Sequence, residues 1–307
     1  MVMSRFSAVA APTYMDVLGR LATCAVVFAV GCGGSSAVLQ SNDGGSEGAV
    51  DAADAPDATD AAQAPPNVGD IVLWSINATT AAPPTESSMV NAGFTLAAPS
   101  MCGPETVVDG CTISDCKVPP TMLPKPVSAG AILVNGGKQP LTLTTKQPDY
   151  YSVQNPLRLW DGGEELHVVV AGDVAPAFSL SVIAPAYLLV DAPVWPASGT
   201  ALTVPRATDL KFHWTGGGAG TIQVNMRFAA GTAWTDAICV YPAQSAFAKV
   251  SAKVLGMLPA STTTTNTIDV ISLTHATTSV SGWTMNFSAV ASANTPTGLA
   301  SASLVLQ

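Results

Sequence analysis

Apolar and polar residues alternate with a period of two along much of residues 68–307, in short runs separated by glycine and proline. Phe178-Ser179-Leu180-Ser181-Val182 is one such run, and Ile222-Gln223-Val224-Asn225-Met226-Arg227-Phe228 is another. The period places successive side chains on opposite faces of an extended chain and therefore predicts half-buried β-strands. Strand-like runs recur every ~8–12 residues, which favours an all-β fold of antiparallel, immunoglobulin-like sandwiches.

Turn signals divide these strands. Asn135-Gly136-Gly137 separates two apolar runs and predicts a hairpin, because glycine readily adopts the positive φ angles of a tight turn. Asp161-Gly162-Gly163 marks a second turn. The segment Asp191–Pro196 contains two prolines and predicts a joint between two β-sandwich units, residues 68–190 and residues 191–307.

One segment departs from the period of two. Phe247, Val250, Val254, Leu255 and Leu258 recur at helical spacing. This spacing predicts one short helix near residues 246–258, which Pro259 would end because proline cannot donate a backbone hydrogen bond.

The N-terminal region has a different pattern. Leu21–Val30 is an apolar run that follows Arg20. A membrane-spanning helix needs ~20 apolar residues, so this run is too short to span a bilayer and long enough for a signal peptide. Residues 1–31 are predicted to be that signal peptide, starting at Met1, Met3 or Met15.

Residues 32–67 form a second compositional segment. They contain six acidic residues, no lysine or arginine, and many alanine, glycine and proline residues. The aspartates lack the glycine turn and the bidentate acid that a calcium loop requires. This composition predicts a disordered, self-repelling tether.

The residues at the end of the signal peptide carry a family resemblance. Ala29-Val30-Gly31-Cys32 resembles the lipobox of bacterial lipoproteins, with Ala29 in place of the usual leucine. The resemblance implies cleavage before Cys32, a diacylglycerol on its sulfur, and acylation of the new amine. Gly33, rather than aspartate, follows the cysteine and implies the outer membrane. The alternative is an ordinary secretory peptide cut near Gly31.

The head also resembles a group of uncharacterised lipoproteins from myxobacteria-like bacteria. The resemblance rests on the lipobox, the Asp/Ala/Pro tether and the phrase Lys211-Phe212-His213-Trp214-Thr215-Gly216-Gly217. It implies a β-rich head on the cell envelope and carries no known activity.

Charge limits the classes of partner. The chain has a net charge of −9, but residues 67–307 hold 14 acidic and ten basic residues, a net charge of −4. Nucleic-acid binding needs clustered lysine and arginine to displace counterions from phosphates, so no nucleic-acid partner is expected. Hydrophobic residues make up 48% of the chain and aromatic residues only 6%, and part of this apolar content lies in the signal peptide and tether.

Four cysteines remain in the head: Cys102, Cys111, Cys116 and Cys239. An even number in an exported protein predicts disulfides, and four cysteines allow three pairings. Cys111–Cys116 would close a small local loop, and Cys102–Cys239 would then join the two halves. Zinc is the alternative for Cys111-x₄-Cys116, but no second cysteine pair or nearby histidine supports it, so we expect no metal site.

Catalytic motifs are absent from the sequence. His167, His213 and His275 are far apart and lie in strand-like runs, where solvated positions are expected. The cluster Asp161–Glu165 could bind calcium or form an exposed turn.

Aromatic residues permit two interpretations. Tyr150, Tyr151 and Trp160 could form a platform on which a sugar stacks. Trp74, Trp214 and Trp283 lie at apolar positions of alternating strands and are expected in the core.

These features favour a non-enzymatic, membrane-anchored lipoprotein without a cofactor. Its lipid would hold it in the membrane, and its head would contact a protein or glycan at the cell envelope. A glycan-binding module and a secreted hydrolase without a recognisable motif are the alternatives.

Overall fold

The computed structural model describes residues 66–78, 85–97, 100–117, 125–144, 150–197, 200–261 and 265–307. Cys32, the lipobox, the signal peptide and the tether up to residue 65 lie outside the described residues.

Strands dominate the described part of the chain and confirm the all-β prediction. In the first half the strands are β1 (Asn67–Ala78), β2 (Thr85–Leu96), β3 (Thr106–Val108), β4 (Cys111–Lys117), β5 (Lys125–Pro126), β6 (Ile132–Asn135), β7 (Leu141–Leu143), β8 (Tyr150–Asn155), β9 (Glu165–Val170), β10 (Phe178–Ile183) and β11 (Leu189–Ala192). In the second half the elements are β12 (Ala201–Val204), β13 (Leu210–Thr215), β14 (Thr221–Ala230), β15 (Ala233–Pro242), β16 (Phe247–Val250), helix α1 (Ala252–Met257), β17 (Thr267–Val280), β18 (Trp283–Ser292), β19 (Asn294–Thr295), β20 (Gly298–Leu299) and β21 (Ser301–Leu306).

These strands form three sheets. The long sheet has 12 strands, and its main order is β3-β4-β15-β14-β17-β18-β1-β2-β5. Three strands lie off this path: β8 pairs with β2, β21 pairs with β17, and β12 pairs with β21. The four-stranded sheet has the order β10-β9-β6-β7, and the five-stranded sheet has the order β16-β13-β11-β19-β20. Most pairings are antiparallel, but β1–β18, β12–β21 and β11–β19 are parallel.

Two buried cores lie against the inner face of the long sheet. One contains Ile71 of β1 and Phe287 of β18 together with Val168 of the four-stranded sheet. The other contains Val224 of β14 together with Trp214 of the five-stranded sheet. Each small sheet therefore packs on a different part of the long sheet, and the result is two sandwiches that share one layer.

The chain crosses between these sandwiches. Strand β18 comes from residues 191–307, yet it pairs with β1 and supplies Phe287 to the first core. Strand β4 comes from residues 68–190, yet it pairs with β15 and supplies Ile113 to the second core. A boundary at residues 190/191 therefore does not separate the two cores.

The predicted hairpin is present. Strands β6 and β7 pair in antiparallel register on either side of Asn135-Gly136-Gly137. Gly136 has a φ of 90°, and a Cβ there would lie 1.8 Å from the carbonyl oxygen of Glu165. Glycine is needed here for both the backbone angle and the close approach.

The predicted helix is shorter than residues 246–258. Helix α1 covers Ala252–Met257, with the Ser251 side chain accepting a hydrogen bond from the Val254 N–H. Residues Phe247–Val250 instead form β16, because Ala248 and Val250 point into the core while Phe247 is 60% exposed. A period of two thus replaces the helical spacing over this segment.

Disulfides join all four cysteines of the head, but the predicted pairing is wrong. The structure pairs Cys102 with Cys116 and Cys111 with Cys239. Cys111 and Cys116 lie at opposite ends of one extended strand, five residues apart at ~3.3 Å per residue, and are too distant to bond. One disulfide does join the two halves of the chain, but it pairs Cys239 with Cys111 and not with Cys102.

No helix among the described residues is long and apolar enough to cross a membrane.

The close packing of β1 predicts a stability effect at Gly69. A Cβ at this position would lie 2.5 Å from Met285 Sδ and 2.6 Å from Phe94 Cδ1. Gly69→Ala should lower the free energy of unfolding by about 1–3 kcal/mol, because the buried neighbours must shift. Gly93→Ala on β2 is the control, since no heavy atom lies within 4 Å of its added Cβ. Equal urea midpoints for the two variants would contradict this packing.

The disulfide pairing predicts a peptide map. An endoproteinase that cuts before aspartate separates the four cysteines into fragments 70–108, 109–114, 115–148 and 236–268. Without reduction, mass spectrometry should find 109–114 joined to 236–268 and 70–108 joined to 115–148. A link between 109–114 and 115–148 would show that the local bridge forms instead.

Candidate functional site

Several charged and amide side chains lie close together on the outer face of the long sheet, which is the face opposite the two cores. On β14, Val224 and Met226 point into the core, so the intervening Asn225 and Arg227 point to the other face. The same alternation places Asp269 of β17 and Asp236 of β15 on that outer face. Asn225 is in register with Asp269, and Arg227 is in register with Asp236, so the sheet brings these side chains together.

Asp236 and Arg227 form a charge pair with two hydrogen bonds. Arg227 Nε donates to Asp236 Oδ1 at 2.7 Å, and Arg227 Nη2 donates to Oδ2 at 2.7 Å. Trp234 Nε1 also donates to Asp236 Oδ2 at 2.8 Å, and the guanidinium lies 5.4 Å from the centre of the Trp234 ring. The carboxylate thus has a full counter-charge, and the guanidinium is held both by the carboxylate and by the ring.

Asp269 has a weaker set of partners. Asn225 Nδ2 donates to Asp269 Oδ2 at 3.0 Å. Burial raises the pKa of Asp269 to about 6; the Asn225 hydrogen bond and the charge of Arg227 lower it, and the nearby Asp236 raises it. Desolvation is the largest effect, because the donor amide is neutral and Arg227 is directed at Asp236.

A similar carboxylate–amide pair lies elsewhere on the same face. Asn286 Nδ2 of β18 donates to Asp70 Oδ1 of β1 at 2.8 Å, and Thr277 Oγ1 of β17 donates to Asn286 Oδ1 at 2.9 Å. Burial raises the pKa of Asp70 to about 7, and the Asn286 hydrogen bond lowers it only in part.

A small cavity lies beside Asp269. Its walls include Asn225, Arg227, Asp236, Thr267 and Asp269, and its volume is about 20 Å³. This space holds about one water molecule or one ion, whereas pockets for small organic ligands have ~300–1,000 Å³. The cavity is thus too small to enclose an organic substrate.

The three histidines lie on three different sheets. His167 is on β9, His213 on β13 and His275 on β17, and the last two are exposed, as the period of two predicts. His213 Nδ1 lies 2.6 Å from Asp191 Oδ1, where a bulge in β11 interrupts its register with β13. Among the described residues, no group of three or more His, Cys, Asp or Glu residues could hold a metal ion.

The acidic cluster at Asp161–Glu165 has structural partners. Glu164 Oε1 accepts the Asp161 N–H at 2.7 Å, and Oε2 accepts the Gly162 N–H at 2.6 Å. Lys138 Nζ and Arg158 Nη2 lie 3.0 and 2.9 Å from Asp161 Oδ1. These contacts account for the carboxylates of Asp161 and Glu164 as parts of an exposed turn.

The aromatic residues are mostly in the core. Trp214 and Trp283 are buried in the two inner cores, whereas Trp74 is buried on the outer face of the long sheet among Met89, Ile271 and Val290. Trp160 is also fully buried and donates through Nε1 to the carbonyl of Pro185 at 3.0 Å. Its ring therefore has no exposed face on which a sugar could stack, and Trp160 cannot belong to the predicted platform with Tyr150 and Tyr151.

Sequence reasoning did not single out the outer-face carboxylates. Asp70, Asp236 and Asp269 occupy the polar phase of ordinary alternating strands, where solvated residues are expected. The available signal was a carboxylate or arginine in the middle of a long apolar strand. Identifying its partner required the cross-strand register, which the sequence does not contain.

No protein-family model matches this chain, and no curated protein is detectably similar to it.

Asp70 predicts a pH-dependent contribution to stability. Its pKa rises from 3.8 to about 7 on folding, so the folded protein keeps a proton that the unfolded chain loses between about pH 4 and pH 7. The free energy of unfolding therefore falls as the pH rises through this window. Asp70→Asn should raise it at pH 8 by up to ~4 kcal/mol, since each tenfold difference in proton affinity between the folded and unfolded states corresponds to about 1.4 kcal/mol.

Urea unfolding at pH 4 and at pH 8 measures this effect. The gain should be largely lost near pH 4, which is well below the folded pKa of about 7 and close to the unfolded value of 3.8. Asp173→Asn is the control, because Asp173 is exposed and its side chain has no hydrogen bond or ion pair among the described residues. An equal effect of Asp70→Asn at both pH values would contradict the shifted pKa.

Proposed function

We propose that this protein is a lipid-anchored protein of the cell envelope whose β-sandwich head serves in binding or in structural support. The proposal combines the lipobox-like residues Ala29–Cys32 with the cysteine chemistry of the head. In the proposed mature protein, Cys32 carries the lipid and the acidic tether holds the head away from the outer membrane.

The observation that carries the proposal is the pairing of the head cysteines. Cys102, Cys111, Cys116 and Cys239 pair only with one another. Disulfides form and persist in oxidising compartments outside the cytoplasm, so two of them support export. The pairing also leaves no cysteine of the described residues as a disulfide partner for Cys32.

The geometry of the outer face supports a binding role. The cavity beside Asp269 has room for about one water molecule, and Asp236 is already paired with Arg227. The described residues contribute broad strand faces on three sheets, which suit contact with a macromolecule. The head is thus proposed to act through its surface.

Acylation of Cys32 is tested by metabolic labelling. In a Gram-negative host fed an alkynyl fatty acid, the wild-type protein should become labelled and fractionate with membranes. Cys32→Ala should lose the label and leave the membrane fraction, because several acyl chains each contribute ~0.8 kcal/mol per buried CH₂.

Cys24→Ala is the matched control, since it removes a cysteine eight positions earlier and leaves the lipobox intact. It should retain the label. Labelling and membrane fractionation of Cys32→Ala at wild-type levels would refute the anchor, and loss of label in both variants would point to a damaged signal peptide.

A further inference from the structure

The five-stranded sheet has a solvent-facing surface that combines one aromatic ring with several charged groups. Along β11, β13 and β16, the inward side chains Val190, Phe212 and Ala248 lie in the second core. The residues between them point to solvent, because successive side chains of a strand lie on opposite faces. This surface, here called the Phe247 face, consists of the exposed residues Leu189, Asp191, Lys211, His213, Phe247 and Lys249.

Phe247 is the only exposed aromatic ring among the side chains that the structure describes. It is 60% exposed, whereas the other described phenylalanines and tryptophans are buried or half-buried. The buried neighbour Ala248 fixes the strand, so the ring is held on the outside of the sheet. A flat apolar ring in this position can stack on the C–H face of a sugar.

A histidine–aspartate pair lies beside this ring. His213 is directly opposite Phe247 in the antiparallel register of β13 and β16, where Cβ atoms are ~4.5–5.5 Å apart. The contact between His213 Nδ1 and Asp191 Oδ1 orients the imidazole and leaves its Nε2 for a hydroxyl group of a ligand.

Lysines form the other side of the ring's surroundings. Lys211 is directly opposite Lys249, and like charges in such positions destabilise a sheet. Lys249 Nζ donates to Asp209 Oδ2 at 2.8 Å, so this lysine has a counter-charge. The Lys211 ammonium has no ion pair or hydrogen bond within the described part of the chain. Lys211 is also diagonal to Phe247, at a Cβ separation of ~7–8 Å that its long side chain can bridge.

We propose that the Phe247 face binds an acidic saccharide. One sugar ring stacks on Phe247, its hydroxyl groups bond to His213, and a carboxylate of the saccharide pairs with Lys211. A sugar has an apolar C–H face with a rim of hydroxyl groups, which matches one ring surrounded by polar side chains, whereas the core of a protein interface is depleted of charged residues. This inference rests on the proposed binding role of the head and is independent of the lipid anchor.

Calorimetric titration of the purified full chain in detergent tests the site. The probes are short oligomers of galacturonate, of mannuronate and of hyaluronan, and at least one of them should bind. The methyl ester of that oligomer should bind about fivefold more weakly, because it has lost the charge that pairs with Lys211. Added NaCl should weaken binding of the acid and leave binding of the ester unchanged. Cys32→Ala should bind like the wild-type protein, so failure of the anchor and failure of this site give different results.

Substitutions assign binding to the Phe247 face. Phe247→Ala should weaken binding about tenfold, and Phe247→Trp should retain it, because tryptophan keeps a stacking ring. Lys211→Gln should weaken binding of the acid about fivefold and remove its preference over the ester. Lys117→Gln is the matched control, since Lys117 is an exposed strand lysine of the long sheet, and it should bind like the wild-type protein.

Four results would overturn the proposal. They are the absence of binding by all three oligomers, equal binding of acid and ester, unchanged binding by Phe247→Ala, and a wild-type self-association that Phe247→Ala abolishes in sedimentation experiments. The last result would show that a second copy of the chain covers the ring. If Phe247→Ala does not fold, Lys211→Gln decides: a lost preference for the acid supports the site, and a retained preference overturns it.

Discussion

The parallel pairing of β1 with β18 holds the long sheet together. It runs in continuous register from Asn67 opposite Trp283 to Ser75 opposite Ala291. Strands β2, β5 and β8 connect to the rest of the long sheet through β1. Because β1 and β18 are more than 200 residues apart, the first core cannot close until most of the chain is present. The inner side chains of both strands, such as Leu73 and Phe287, then fill that core.

A second long-range tie holds the other end of the long sheet. Strand β4 adds to β15 in the register that places Cys111 opposite Cys239, and the disulfide makes this pairing covalent. Strand β17 joins the two regions, because Thr267–Leu273 pair with β14 and Ile271–Val280 pair with β18. Each sandwich therefore includes strands from both halves of the chain, and neither is a contiguous sequence domain.

The outer face of the long sheet combines two polar groups with an apolar cluster between them. Trp74, Met89, Ile271 and Val290 belong to this cluster, and Trp74 Nε1 donates to Ser292 Oγ at 2.8 Å. In one pair Asp70 has a raised pKa and the amide oxygen of its partner Asn286 accepts a hydrogen bond, whereas in the other pair the amide oxygen of Asn225 has no partner. Similar residue pairs on one face thus differ in chemistry, because the neighbouring strand supplies a hydroxyl donor in only one of them.

Local sequence patterns were sufficient to predict the fold class, many strand positions, the hairpin at Asn135–Gly137 and the set of four disulfide-forming cysteines. These features follow from local rules: the period of two, the backbone freedom of glycine, and an even cysteine count. The helix near residues 246–258 was only partly predictable, because Phe247–Val250 fits either period and the five-stranded sheet selected the strand.

The cysteine pairing, the sharing of strands between sandwiches and the cavity beside Asp269 could not be predicted from the amino-acid sequence. Each depends on which strands become neighbours and in which register. A shift of one residue would reverse the faces of a strand, so the contacts of Asn225 and Asp269 cannot be read from either strand alone. Local patterns specify that a segment is extended, but long-range burial specifies its partner.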